Sequence, residues 1–283
     1  MERKVDVRPL VLLRIFVPMM VFFDLLRLVQ LDLVTVLFRP YEAGGLSTFT
    51  DPSAFIHNWS PMWAGPVAVG VTMVCMVLIS LGRWMRPAII LGCFAYAQLG
   101  HVYPPGDRAI DRILRCVLLI ILFTQADQKW SWNKKERVET IPAWPVDLIK
   151  WMLVMIYMSA GISKMLQQPG WLAIDGMPVL FRIMTDPLAS NHAPESLVWA
   201  YPLFIFGGWA TIFLECSAFL LLTRWCHWWA IVGALMHVGI GIFMTLGMFS
   251  WGMLSIYPIL LAPFVLRFLD RKKSGSPLAA SAS

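Results

Sequence analysis

Long apolar runs separated by short polar segments are the dominant pattern along the chain. An α-helix needs about 20 apolar residues to cross a bilayer, and the runs of that length predict an all-α, polytopic integral membrane bundle of about eight transmembrane helices. A membrane β-barrel would instead show short segments of alternating polarity. The predicted spans are 10–30, 63–82, 87–102, 109–125, 144–166, 196–223, 225–246 and 249–268.

Composition agrees with a membrane-embedded chain. Of 283 residues, 58% are hydrophobic and 14% are charged, which is far too apolar for a soluble domain of this size. We predict one membrane domain over residues 1–273 and a flexible tail over 274–283. The net charge of +6 does not indicate nucleic acid as a partner, because the basic residues cluster in short loops between apolar runs.

The basic residues are distributed unequally between alternate loops. With a cytoplasmic N-terminus, fourteen Lys and Arg residues lie in the predicted inner segments and three in the outer ones. Positively charged loops stay in the cytoplasm, so we predict both termini inside and an even number of spans. The first apolar run lacks a cleavage site and is predicted to be a retained anchor in the cell membrane. Two long outer loops follow, at 40–62 and 167–195, and a short interfacial helix is predicted from Met177.

Ionisable residues inside the apolar runs are the candidate functional groups, because charged side chains in a membrane face the protein interior and pair. Lys164 ends the run that begins at Trp151, and a rise of about 1.5 Å per residue places it near the outer surface. The alternative is that Lys164 snorkels to that interface. We expect Asp24, Asp111 and His237 to share the outer half of the bundle with it.

Each other ionisable group also has a structural interpretation. Arg14 is expected to snorkel at the inner interface, and Glu215 to bridge two helices. Asp111 and Arg115 lie one helical turn apart and can pair. His237 is either a hydrogen-bonded interior group or a base. The residues to which we assign a structural role as intramembrane charges are Arg14, Asp24, Arg115 and Glu215.

Motifs for metals, nucleotides and disulfides are missing from the sequence. The five cysteines lie in apolar runs without a Cys-x-x-Cys pair, which favours buried free thiols. No Walker loop, nucleophile elbow or His-Glu-x-x-His motif occurs, so we predict no metal. A transporter would fit the intramembrane charges, but inverted repeats and paired broken helices are not evident.

Two motifs, occurring in order, resemble one known family. The segment from Tyr157-Met-Ser-Ala-Gly-Ile-Ser to Lys164-Met, followed by Trp171 and Gly176, resembles the A-G-x-x-K-L…W…G segment of vitamin K-dependent γ-carboxylase. The segment from His237 to Leu-Gly-Met-Phe-Ser-Trp-Gly-Met-Leu resembles that family's H…IGMFSYVML.

Two further segments extend the resemblance over nearly the whole chain. The spacing of Arg14 and Asp24 is similar to that of the R…D pair in the family's first membrane helix, and Glu215-Cys-Ser-Ala-Phe-Leu resembles its D-L-S-A-G-F-L. The chain therefore resembles the horizontally transferred transmembrane (HTTM) domain family, to which the carboxylases belong.

The resemblance implies an enzyme that uses a vitamin K-like quinol. Lys164 corresponds to the family's active-site lysine, the base that deprotonates the quinol, and His237 to a histidine that hydrogen-bonds a quinone oxygen. The side chains we assign to quinone or substrate binding are Asp111, Trp171, Phe249 and Trp251. The implied partners are membrane lipid, a quinone, other membrane subunits or a small secreted peptide, and the implied location is a bacterial cell membrane.

A second hypothesis is a non-enzymatic membrane subunit or assembly factor that kept the same scaffold. Ile110 and Asp111 stand where the carboxylases have Asn and His. Ile240 stands where they have a polar residue, three positions after the histidine. The sequence leaves the choice between enzyme and subunit open.

Overall fold

The computed structural model describes residues 3–39, 41, 44–46, 61–103, 106–132, 138–167, 169–172, 179–186, 188–190 and 199–274. Most of the predicted outer loop 40–62, nearly all of the predicted tail, and Gly176 and Met177 lie outside this part of the chain. The chain divides into two compact units, unit 1 (Met1–Pro145) and unit 2 (Val146–Ser283). Helices dominate both, which confirms the predicted all-α membrane class.

Unit 1 contains five α-helices, a short 3-10 turn (Ala126–Gln128) and a small ribbon among its described residues. The helices are α1 (Arg8–Gln30), α2 (Leu33–Phe38), α3 (Pro61–Ser80), α4 (Met85–Val102) and α5 (Ala109–Leu122). Strand β1 (Lys4–Asp6) pairs antiparallel with β2 (Thr140–Pro142), and Val5 lies opposite Ile141. Strands of three residues are too short to show an alternating pattern, so the sequence did not reveal the ribbon.

The core of unit 1 lies where α3 contacts α1 and α4. Met76 on α3 and Ile89 on α4 are fully buried there. A Cβ at Gly92 would lie 2.8 Å from the Cβ of Cys75, so a glycine is needed for α3 and α4 to approach this closely. Small residues commonly permit such close contact between membrane helices.

The chain enters unit 2 through α6 (Trp144–Gln167). The other helices described in unit 2 are α7 (Val179–Thr185), α8 (Tyr201–Cys216), α9 (Cys226–Phe243), α10 (Phe249–Ile256) and α11 (Pro258–Ser274). Short 3-10 turns cover Pro169–Trp171 and Ala218–Leu222. The helices α10 and α11 meet at a bend of 46°, where Pro258 cannot donate a backbone hydrogen bond. Helix α7 lies in the segment for which a short interfacial helix was predicted, and its position at the interface stays a prediction.

Each of the eight predicted spans contains a helix, but fewer helices are long and apolar enough to cross a membrane. In the described part of the chain four are, namely α1, α3, α6 and α9, and a fifth if α10 and α11 form one bent span. With 14 residues in α5 and 16 in α8, both are shorter than the roughly 20 residues that a bilayer requires. The chain is a multi-pass membrane protein, whereas the count of eight stays a prediction.

Candidate functional site

In unit 2 the membrane lysine forms an ion pair. Lys164, near the end of α6, donates from Nζ to both carboxylate oxygens of Glu215 on α8, each at 2.7 Å. The two side chains are 21% and 8% exposed. Lys164 therefore points at a protein carboxylate, and Glu215 bridges α8 to α6, as the structural interpretation of Glu215 expected.

A glycine explains how α6 and α8 approach each other at this pair. A Cβ at Gly161, one turn before Lys164, would lie 2.8 Å from Sγ of Cys216 and 3.0 Å from the Cβ of Glu215. Any larger residue would push α8 away and separate the charges. The Ala-Gly-x-x-Lys motif thus has a local physical reason, because its glycine allows the lysine's partner to approach.

Trp171 covers the amine. Nζ of Lys164 lies 5.3 Å from the centre of the Trp171 ring, within the range of a cation–π interaction. The backbone of Trp171 lies against α8, where a Cβ at Gly208 would be 3.0 Å from the Trp171 carbonyl oxygen. The structure thus brings together two predicted site residues, Lys164 and Trp171.

His237 stands at one end of a buried series of three hydrogen-bonded side chains. Nε2 of His237 lies 2.6 Å from Oη of Tyr157 on α6, and that hydroxyl lies 2.9 Å from Oη of Tyr257. His237 is only 2% exposed, and its Nδ1 has no hydrogen-bond partner among the described residues. The ring of Phe249 lies 6.0 Å from the imidazole, and Trp251 contacts α9 at Gly241.

An apolar cavity of about 370 Å³ lies between α7, α8 and α9. Its walls include Met184, Phe204, Met236 and Phe243, with Thr211 as a polar side chain. The Thr211 hydroxyl already donates to the Gly207 carbonyl oxygen at 2.8 Å, so the lining is apolar in character. Glu215 lies one turn after Thr211, on the same face of α8, although it is not one of the residues that line the cavity.

In unit 1 one arginine joins two aspartates. Arg108 contacts Asp24 on α1 through Nη2, and donates to Asp111 from Nε at 3.0 Å and from Nη2 at 2.9 Å. Oη of Tyr96 donates to Oδ1 of Asp111 at 2.7 Å. Asp111 also accepts the backbone N–H of Arg108, as in a capping box at the start of α5. Its carboxylate is therefore engaged in contacts that fix α5.

Arg115 has a different partner from the one expected. It donates from Nη2 to Oδ1 of Asp107 at 2.8 Å, and Arg112 donates to the other oxygen of Asp107, also at 2.8 Å. The predicted pair of Asp111 and Arg115 does not form, because Arg108 already occupies Asp111. Burial alone would raise the pKa of Asp107, but the hydrogen bonds from Arg112 and Arg115 outweigh it and hold the pKa below its ordinary value.

Arg14 is fully buried and does not snorkel. Its Nη2 donates to the backbone carbonyl oxygen of Trp130 at 2.6 Å, while Nε and Nη1 have no hydrogen-bond partner among the described residues. We predicted that Arg14 snorkels at the inner interface; instead its side chain is buried, and its hydrogen bond is accepted by a carbonyl group 116 residues away in the chain.

The predicted residues thus fall into separate groups. Asp24 and Asp111 meet in unit 1, while unit 2 holds the Lys164 pair and the His237 chain. A site shared by all four residues stays a prediction.

Sequence reasoning missed Arg108, Tyr157 and Tyr257. Arg108 stands three residues before Asp111, the spacing of a capping box. Tyr157 stands seven residues before Lys164, on the same face of α6. For Tyr257 no local signal was present.

Comparison with known proteins gives one match. A family model described as HTTM domain matches residues 2–263. No curated protein matches the chain. No solved structure matches it either. Within the described residues there is no group of three or more His, Cys, Asp or Glu side chains that could hold a metal ion.

Proposed function

Since this chain belongs to the HTTM domain family, we propose that it is a membrane enzyme that deprotonates a quinol, with Lys164 as the base. One observation carries the proposal: Lys164 is paired with a mostly buried carboxylate beneath an aromatic ring. The resemblance of the Lys164 and His237 segments to the vitamin K-dependent carboxylases favours a naphthoquinol over other acidic alcohols.

The ion pair can act as a base through an internal proton transfer. An ammonium group cannot accept a proton, so the proton of Lys164 first moves to Glu215, which leaves a neutral amine beside a neutral carboxylic acid. An apolar environment reduces the cost of this neutral pair relative to the ionic one. The amine then takes the phenolic proton of the quinol. In balance, the quinol loses one proton and Glu215 gains one.

The surroundings suit a quinol with an apolar tail. The cavity between α7, α8 and α9 includes Thr211 of α8, one helical turn before Glu215, and we assign the apolar tail to this cavity and the ring to the space beside Trp171. Aromatic rings pack well in offset or edge-on contact. We assign His237 as a hydrogen-bond partner of a quinol oxygen, with Phe249 and Trp251 beside it. We assign a peptide or lipid-like molecule near the outer face as the substrate modified after quinol oxidation.

Charge distribution supports a proposed location and orientation. We place the protein in a bacterial cell membrane with both termini in the cytoplasm, because the predicted inner segments carry most of the basic residues outside the spans. Lys164 then lies near the outer side of the membrane.

A quinol-dependent assay with a matched lysine control tests the proposal. A naphthoquinol is added to the purified protein in nanodiscs, and oxygen uptake is recorded. Oxygen uptake reports deprotonation because a quinolate reduces dioxygen faster than the neutral quinol. Loss of a general base typically lowers a rate by about a hundredfold or more, so we expect such a loss in Lys164→Met. Lys150→Met removes a second lysine from α6 and should retain the wild-type rate.

Two results would overturn the proposal. One is a wild-type rate no higher than that of empty nanodiscs. The other is equal activity in Lys164→Met and Lys150→Met, which would remove Lys164 from the chemistry.

A non-enzymatic membrane subunit is the second candidate. The observation that favours it is the mutual neutralisation of Lys164 and Glu215, which can explain both charges as a link between α6 and α8. Purification from native membranes in a mild detergent distinguishes the two candidates. A stoichiometric protein partner together with no quinol activity would support the subunit, whereas a chain that purifies alone with bound quinone would argue for the enzyme.

A further inference from the structure

We propose that Tyr157 and Tyr257 hold His237 in a single neutral tautomer, with the proton on Nδ1, so that this N–H is a fixed donor for an oxygen atom of a bound molecule. The inference deepens the proposed function and rests on it only for the identity of that molecule. The tyrosines are positioning residues, since they act through the imidazole.

The direction of the hydrogen bonds follows from counting donors and acceptors. A tyrosine hydroxyl has one proton to donate, and a neutral imidazole has one N–H donor and one acceptor nitrogen. If Tyr257 donates to Tyr157 and Tyr157 donates to Nε2, both hydroxyl protons are used. The imidazole proton must then be on Nδ1. Among the described residues, this arrangement leaves one of the polar groups of these three side chains without a partner, the Nδ1–H donor of His237.

The opposite direction leaves more groups unsatisfied. If Nε2–H donates to Tyr157 and Tyr157 donates to Tyr257, the proton of Tyr257 needs another acceptor, and Nδ1 becomes an unused acceptor as well. Tyr257 is 2% exposed and His237 is equally buried. A buried polar group without a partner costs about 1–3 kcal/mol. The arrangement with one unsatisfied group is therefore favoured over the arrangement with two.

Packing fixes the geometry of the chain. The hydroxyl of Tyr257 lies against α9 at Gly233, where any Cβ would overlap it. The Tyr157 ring is held edge-on by Trp229, with ring centres 4.9 Å apart. Neither tyrosine can turn away without disturbing its packing against α9. The Tyr157 hydroxyl therefore stays beside Nε2 of His237.

A second unsatisfied polar atom lies where α10 contacts α9. Oγ of Ser250, at the start of α10, is buried and has no hydrogen-bond partner among the described residues. The Cβ of Ser250 is 3.5 Å from the position that a Cβ at Gly241 would take, one turn after His237 on α9. Buried polar atoms are rarely left unpaired. Two of them along the contact of α9 with α10 indicate a polar group of a bound molecule.

Nitrogen NMR of the histidine side chains tests the inference without any substrate. The two ring nitrogens of a neutral histidine resonate far apart, according to which one carries the proton. Protein labelled with ¹⁵N-histidine is measured in nanodiscs, and the His237 signals are identified by their loss in His237→Gln. We expect a protonated Nδ1 and an unprotonated Nε2 in the wild type. In Tyr157→Phe we expect a second tautomer to appear.

The control is Tyr96→Phe, which removes another buried tyrosine hydroxyl, in unit 1, and should leave the His237 signals unchanged. A wild-type His237 with its proton on Nε2 would overturn the inference, and this result does not depend on the folding of a tyrosine variant. Equal His237 spectra in the wild type and in Tyr157→Phe would also overturn it. Failure of Lys164 as a base would leave the tautomer unaffected, so the two proposals fail separately.

Discussion

Unit 1 and unit 2 each contain a partly buried cluster of opposite charges, but the clusters use different cations. In unit 1 Arg108 joins Asp24 and Asp111, and Tyr96 adds a further donor to Asp111. In unit 2 Lys164 has one carboxylate partner, Glu215, and an aromatic ring over its amine. The first cluster pairs one cation with two anions, and the second pairs one cation with one anion.

The choice of cation decides what each cluster can do. A guanidinium does not give up its proton in a protein, and its planar fork suits two carboxylates at once. A lysine amine can lose its proton when it is desolvated, which is the requirement for a base. The cluster of Arg108 is therefore a clamp between α1 and α5, whereas the pair of Lys164 can take part in proton transfer. A charge inside the membrane does not by itself show whether a residue belongs to a functional site or only stabilises the fold.

Arg108→Ala should have the largest effect on stability. It leaves Asp24 and Asp111 without a cation, and breaking a buried pair typically costs about 3–5 kcal/mol. Arg108 is 36% exposed, so solvent screening lowers our expectation to about 2–3 kcal/mol. Arg112→Ala is the control, because this arginine contacts Asp107 and is 67% exposed. Thermal unfolding in detergent should show a clear decrease for the first variant and little change for the second.

Equal melting temperatures for those two variants would show that Arg108 is no clamp. Quinol activity sharpens the comparison further. At a temperature where the variant is folded, Arg108→Ala should retain activity, since a clamp does not touch the substrate.

Lys164→Met combined with Glu215→Met should give the opposite result. Replacing a buried ion pair by apolar residues of similar volume is often neutral for stability or slightly favourable. We therefore expect the double variant to unfold within about 1 kcal/mol of the wild type, and each single variant to be less stable than the double. Quinol-dependent oxygen uptake should be lost in all three. Melting curves and the uptake assay together make the measurement.

A double variant that is as unstable as the single variants would mean that the pair is a structural clamp like that of Arg108. The difference between the two units would then disappear, and with it the main support for Lys164 as a base.

The sequence predicted the class of fold because a bilayer imposes a minimum length on apolar helices. It predicted fewer of the partners. Residues that pair within one helical turn or across a capping box leave a local signal, as Arg108 and Asp111 do. The contact of Arg14 with Trp130 spans 116 positions, and no local pattern can report it.

The residues of the candidate site also divide into those that a local sequence pattern predicts and those that only tertiary contacts bring together. Lys164 and Trp171 were predicted together because both stand in one segment that resembles a known motif. Glu215 was recognised as an intramembrane charge, but its pairing with Lys164 depends on how α8 approaches α6 at Gly161. Tyr257 lies at the bend between α10 and α11, and its place beside Tyr157 follows from packing that no spacing in the sequence shows. Tertiary contacts, rather than helix positions, limited the prediction.

Asp107 offers the smallest expected effect and the one that depends on pH. The hydrogen bonds from Arg112 and Arg115 hold its pKa below the ordinary value, so the ionised carboxylate stabilises the folded state above the unfolded pKa of about 3.9. That stability is lost as the pH falls through the lower, folded pKa. Asp107→Asn should therefore be less stable than the wild type at pH 7 by at most about 1 kcal/mol, because Arg112 is largely exposed. The difference in melting temperature should shrink below about pH 4. A gap that is equal at pH 7 and at low pH would show that the charge of Asp107 contributes nothing to the stability of unit 1.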